Sequence, residues 1–174
     1  FYTRKLAFVR ESDATVLMPG GFGTHDEGFE VLTLIQTGRC APRPVILITR
    51  PGSDYWGKWL EYVKTQLLDR GYISEEDMTI FKEVHTAEEV LDEIRDYYTV
   101  YHSIRYFEEM AVMRLERDIK TTTLDEINAK FGHLLLPGGS FRMEDLKNIP
   151  LEEGSFPTKK RLIFEFNKKN YGGL

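Results

Sequence analysis

Cysteine is almost missing from this chain: Cys40 stands alone, so no intramolecular disulfide can form, and no CxxC or Cys/His spacing offers metal ligands. A reducing compartment fits that scarcity. Long apolar runs are missing as well. None approaches the ~20 residues a membrane helix needs, and no basic-then-apolar leader opens the chain, so it is read as cytoplasmic with no membrane partner. Positive charge is in deficit: 23 Lys and Arg against 28 Asp and Glu give a net charge of −5. That argues against a nucleic-acid partner, whose backbone demands clustered cations, and is compatible with a small phosphorylated ligand. An initiator Met is absent too. Phe1-Tyr2-Thr3-Arg4-Lys5 runs straight into an amphipathic pattern, and an upstream part of the protein is expected to precede it.

What is present is a mixed aliphatic, aromatic and charged composition over 174 residues, enough for a real core. Tyr2 to Arg10 reads as a helix with Leu6, Phe8 and Val9 as its apolar contacts. Ala14 to Met18 is a short apolar run, read as a buried strand and stopped by Pro19. His25 to Thr37 carries Val31, Leu34 and Ile35 at helical spacing, with Gly38 as its C-cap. Pro44 to Thr49 is a second strand without polar alternation. Tyr55 to Asp69 reads as a helix with Trp56 and Trp59 in the core, Met78 to Val84 as a short strand, and Ala87 to Tyr98 as a helix. The alternation implies βαβ units and a parallel sheet, an α/β fold over residues 1–98. Residues 99–174 read as a small α+β extension: Ile104 to Leu115 is strand-like, Leu124 to Phe131 helical, Leu162 to Phe166 alternating. Lys159-Lys160-Arg161 reads as a solvated face, and the second Pro-Gly-Gly, Pro137 to Gly139, as a plain turn.

The chemistry concentrates at Pro19-Gly20-Gly21-Phe22-Gly23-Thr24. A strand passing through such a turn into a helix sets backbone N–H groups at the positive end of the helix dipole, which is an anion site at the carboxyl edge of the sheet. A bland reading stands beside it. Thr24 with Glu27 three residues on has the pattern of a capping box, which would make both residues helix-start chemistry. The third glycine of a dinucleotide fingerprint is also missing, Asp26 standing in its place.

With Arg4-Lys5 ahead of Pro19-Gly20-Gly21-Phe22-Gly23-Thr24-His25-Asp26-Glu27, the sequence resembles the LOG family of phosphoribohydrolases, also labelled lysine decarboxylase-like. That family's motif is Pro-Gly-Gly-x-Gly-Thr-x-x-Glu preceded by an Arg-Lys pair, and the arginine and glutamate here are 23 positions apart, as the pattern requires. The resemblance covers roughly Tyr2 to Tyr98, and Tyr101-His102-Ser103-Ile104-Arg105-Tyr106 is similar to the longer bacterial members. His25 departs from the usual Leu, and Gly28 from a larger apolar residue. The resemblance implies a Rossmann-like doubly wound parallel sheet and hydrolysis of the base–ribose bond of a nucleoside 5′-monophosphate, AMP-like or of cytokinin type. It implies that Gly20, Gly21, Gly23 and Thr24 hold the 5′-phosphate, that Arg4 and Glu27 act at the ribose, and that Lys5 and Glu30 support them. The helix after the loop is apolar on most sides, so it is expected either to be buried or to lie at the interface of a homodimer, and the resemblance implies an upstream segment with its own glycine-rich turn.

No cofactor or metal is expected. A decarboxylase would need a lysine forming a Schiff base with pyridoxal phosphate, and no lysine is so marked. His85, His102 and His133 are scattered without a Ser or Cys elbow, which argues against a hydrolase triad. The alternative from another class is a nucleotide or cofactor carrier of the same fold that binds without cleaving; the presence of both Arg4 and Glu27 favours the enzyme.

Overall fold

A computed structural model describes the chain from Tyr2 to Leu174, with side chains from Thr3 onward. The chain divides into two compact units, the residues up to Arg95 together with Asn170–Leu174, and Asp96–Lys169. In the first unit three parallel strands, β1 (Thr15–Leu17), β2 (Val45–Ile48) and β3 (Phe81–Val84), lie in the order β1-β2-β3. The crossovers carry α2 (Phe22–Gln36) and α3 (Tyr55–Tyr62); α1 (Tyr2–Arg10) precedes β1, and α4 (Ala87–Val100) follows β3. A parallel sheet with helical crossovers is a Rossmann-like arrangement.

The central strand explains the core. Val45, Ile46 and Leu47 of β2 are buried, and Val9, Leu17, Val31, Ile35 and Trp56 close around Val45 and Leu47. Trp56 also donates its indole N–H to the Ile48 carbonyl at 3.1 Å, tying α3 to the end of β2. β1 departs from the expected buried strand: it pairs only with β2 among the described residues, so Leu17 turns inward while Val16 and Met18 stay exposed. α1 likewise buries Val9 but leaves Leu6 and Phe8 exposed, with the Arg4 guanidinium 5.7 Å from the centre of the Phe8 ring.

Three local rules shape the rest of this unit. The strand expected from Met78 begins only at Phe81, because Asp77 accepts the Ser74 amide at 2.8 Å and the Gln36 side-chain amide at 2.7 Å, and this favours a 3₁₀ turn over Glu76–Thr79. The helix expected over Tyr55 to Asp69 widens after Tyr62 into a π-helical stretch, Val63–Leu68. α2 ends at Gln36 with Thr37 as its C-cap, one residue before the cap expected at Gly38, and the φ of +66° at Gly38 turns the chain so that the Arg39 amide reaches the Leu34 carbonyl at 2.8 Å. A Cβ there would fall inside the Tyr171 ring.

The second unit is a four-stranded antiparallel sheet, β4 (Tyr101–Phe107), β5 (Met110–Leu115), β6 (Arg142–Glu144) and β7 (Lys160–Glu165), in the order β4-β5-β7-β6, with one α-helix within it, α5 (Thr121–Phe131), between β5 and β6. The single strand-like stretch from Ile104 is thus the greater part of a hairpin, turned at Glu108 with a φ of 52°. Arg161 corrects the reading of Lys159-Lys160-Arg161 as a solvated face. It is 1% exposed, because β7 sets it beside Arg114 of β5 on one face of the sheet and both close on Glu152, itself fully buried. Arg114 forks onto Glu152 at 2.7 and 2.6 Å, Arg161 approaches at 3.6 Å, and Arg105 reaches it from β4 at 3.4 Å.

Acid should loosen this unit. Glu116 is held below the ordinary carboxylate range by its bond from Lys159, Glu165 by Arg142, and Glu144 by the Asn148 side chain; burial and the Lys159 charge push His102 down. Every one of these groups binds a proton more readily when unfolded. Their stabilisation is present in full above the unfolded values, about 6.5 for His and about 4.3 for Glu. Urea midpoints are therefore expected to decline below about pH 6.5 and more steeply below about pH 4.3.

Candidate functional site

The glycine loop follows β1 and leads directly into α2, which begins three residues earlier than its apolar pattern suggests. Gly21, extended at φ −95° and ψ −156°, is the N-cap, and no side chain caps the helix. Thr24 therefore lies inside the first turn, and the capping box read from Thr24 and Glu27 does not form. A true one stands at α4, where the Glu89 amide bonds the Thr86 hydroxyl at 3.1 Å and the Glu89 carboxylate takes the amides of His85 at 2.6 Å and Thr86 at 3.3 Å. With Thr24 and His25 amides directed to the Gly21 carbonyl, the amides of Phe22 and Gly23 stand ahead of the helical ladder with no carbonyl behind them.

Each glycine is there for its own reason. A Cβ on Gly20 would fall on Thr24 Oγ1 and stand 3.1 Å from Thr24 Cβ, so the packing of the Thr24 side chain leaves room there for glycine alone. A Cβ on Gly21 or Gly23 would meet nothing within 4 Å, so the fold does not require their bareness, and open space lies over the start of the helix. Gly28, buried, lets α2 settle on β1, since its Cβ would stand 2.9 Å from Leu17 Cδ1. Gly20→Ala is expected to distort the loop and weaken AMP binding at least tenfold in a calorimetric titration, since the added Cβ must displace Thr24.

Arg4 and Glu27, 23 positions apart, meet here. Arg4 Nη2 lies 3.4 Å from Glu27 Oε1, with 58% and 25% of the two side chains exposed. Lys5 is the strut beside them. Its ammonium, only 12% exposed, lies 2.6 Å from Asp26 Oδ2 and 2.8 Å from Glu30 Oε2, and these two carboxylates, Asp26 foremost, push its pKa up. The bridge docks α1 along α2 and so carries the neighbouring guanidinium to Glu27.

Two residues escaped the sequence reading. The Tyr55 hydroxyl donates to the Gly20 carbonyl at 2.5 Å and lies 2.8 Å from His25 Nε2, joining the loop to the start of α3. His25 was visible only as a departure from the usual motif, and nothing local marked Tyr55, 35 positions downstream. His85 and His133 are exposed, while His102 bonds Ser103 at 2.8 Å. No group of three or more His, Cys, Asp or Glu side chains that could hold a metal occurs among the described residues, and no helix among them is long and apolar enough to cross a membrane.

These features define a class, an α/β domain with a parallel sheet whose first strand delivers a glycine loop to the amino end of a helix. The family model described as possible lysine decarboxylase matches residues 1–94, more than half of the chain. The chain belongs to that family, the LOG family. A protein of Oryza sativa subsp. japonica described as a probable cytokinin riboside 5′-monophosphate phosphoribohydrolase is 35% identical over 96 residues, covering 55% of this chain and 44% of that protein. A cytokinin riboside 5′-monophosphate phosphoribohydrolase of Arabidopsis thaliana is 31% identical over 103 residues, covering 59% of this chain and 46% of its own length. The chain spans less than half the length of these curated relatives.

Proposed function

We propose that the protein hydrolyses the N-glycosidic bond of a nucleoside 5′-monophosphate, releasing free base and ribose 5-phosphate. The observation that carries this reading is the meeting of Arg4 and Glu27 at 3.4 Å, one turn beyond a loop with open space over its amides. Phe22 and Gly23 amides, at the positive end of α2, receive the phosphate, with Gly20, Gly21 and Thr24 shaping the turn. Departure of the base builds positive charge on the ribose; the Glu27 carboxylate stabilises that charge and orients or deprotonates the attacking water. The Arg4 fork clamps ribose hydroxyls or phosphate. The three parallel strands are read as one wing of a doubly wound sheet, and the cytokinin-type monophosphates in the relatives' names support trying such substrates as well as AMP.

Incubation of the protein with AMP and with cytokinin-type riboside monophosphates, followed by chromatography of the free base, tests the reading. Base release supports it. Saturable nucleotide binding without any release would instead make the protein a carrier. The reading includes a homodimer through the flank of α2 that leaves Phe29 and Thr33 exposed, and sedimentation should give twice the chain mass, dropping toward one on Phe29→Glu.

A further inference from the structure

We propose that Tyr55, with His25 behind it, is a positioning residue for the glycine loop, holding the Gly20 carbonyl so that the loop presents amides and not carbonyl oxygen to an incoming phosphate. The inference rests on the phosphate-binding reading above and names the device that prepares that site.

The hydrogen bonds fix the direction of the relay. A phenol has one proton, and Tyr55 spends it on the Gly20 carbonyl at 2.5 Å. The 2.8 Å contact to His25 is therefore made by a proton on Nε2, so His25 donates to Tyr55, which donates to Gly20. Donors in such a chain polarise one another, and the phenol bonds the carbonyl more strongly with the imidazole in place. The rings are braced as well. His25 stacks on Tyr55 at 5.9 Å and 21°, and both stand edge-on to Trp56, whose indole is buried and bonded to β2.

The loop needs such a device. The Gly20 carbonyl shares its trans peptide with the Gly21 N–H, so holding the one toward Tyr55 turns the other the opposite way, and a carbonyl oxygen facing phosphate would repel it. Thr24 packs against Gly20 from the α2 side and Tyr55 holds its carbonyl from the α3 side, so the peptide is gripped twice before any ligand arrives. Preorganisation of this kind lowers the ordering cost of binding and shows in affinity for the phosphorylated ligand alone.

The test is calorimetric titration of the protein with AMP and with adenosine, the same ligand without phosphate. Tyr55→Phe keeps the ring and loses the hydroxyl; AMP affinity should fall roughly five- to tenfold while adenosine affinity is unchanged. His25→Leu should cost AMP roughly threefold, and His25→Gln, whose amide N–H can donate to Tyr55, should recover most of that loss. In turnover the Tyr55→Phe loss should be carried by KM more than by kcat. A wild-type protein that binds AMP no more tightly than adenosine removes the phosphate site and the proposed function with it. A wild-type preference for AMP that survives intact in Tyr55→Phe overturns the relay alone. Should Tyr55→Phe fail to fold, the Leu and Gln variants at position 25 decide the matter: equal AMP affinities in the two would also overturn it.

Discussion

Glu27→Gln is expected to cut base release by about 10²–10⁴-fold while AMP still binds at close to its native affinity. The substitution is nearly isosteric, and the amide can still approach Arg4 from the position where the carboxylate lies 3.4 Å away. It cannot take a proton from water, and it offers no negative charge to a ribose that is losing its base. In the proposed reading the phosphate contacts belong to the loop amides and not to Glu27. Single-turnover measurement of free base, beside a binding isotherm, separates the two effects. Asp92→Asn is the internal control, because Asp92 pairs with Arg95 in an exposed contact on α4 and belongs to no part of the proposed site. Release within a few-fold of wild type in Glu27→Gln would refute the role given to this carboxylate.

Glu152→Ala should have the largest effect on stability, about 3–5 kcal/mol, because it removes the counter-charge from guanidiniums that cannot reach water. Arg114 is 4% and Arg161 1% exposed, and Glu152 is fully buried between them. For a unit of this size the corresponding drop in melting temperature is on the order of 15–30 °C. Glu152→Gln should be costly too, though less so, since the amide oxygen still accepts one bond from Arg114. Differential scanning calorimetry of both variants checks the order. Variants that melt like wild type would mean that solvent reaches the cluster.

The parts of the site that the sequence displays are those that close over short range or by fixed spacing. Pro19 to Thr24 reads as an anion loop because glycine and proline act on their own backbone, and Arg4 and Glu27 are legible as a pair through the family's spacing. Thr24 and Glu27 misled as a capping box because the helix starts at Phe22, so two correctly spaced residues fall one turn too deep. Thr86 and Glu89 have the same spacing and do form the box. The tie from Tyr55 to Gly20 could not be read, since it depends on where α3 begins against a loop 35 positions earlier. Arg161 looked solvated because its two neighbours are lysines; only register across β5 and β7 reveals its burial. β6 was invisible because Arg142–Glu144 is three residues long with no apolar alternation.

The last five residues leave the second unit and return to the first: the Thr79 hydroxyl donates to the Gly172 carbonyl at 3.1 Å, and the Tyr171 ring lies against Gly38. Asp96–Lys169 is therefore an insertion within its neighbour's chain, entered through the continuous helix α4 and left at Lys169. A single protease cut near position 95 or 169 leaves it attached at the other end, and excising it cleanly takes both. Trimming the tail at Lys169, harmless on a simple beads-on-a-string plan, would instead strip a packing ring from the end of α2.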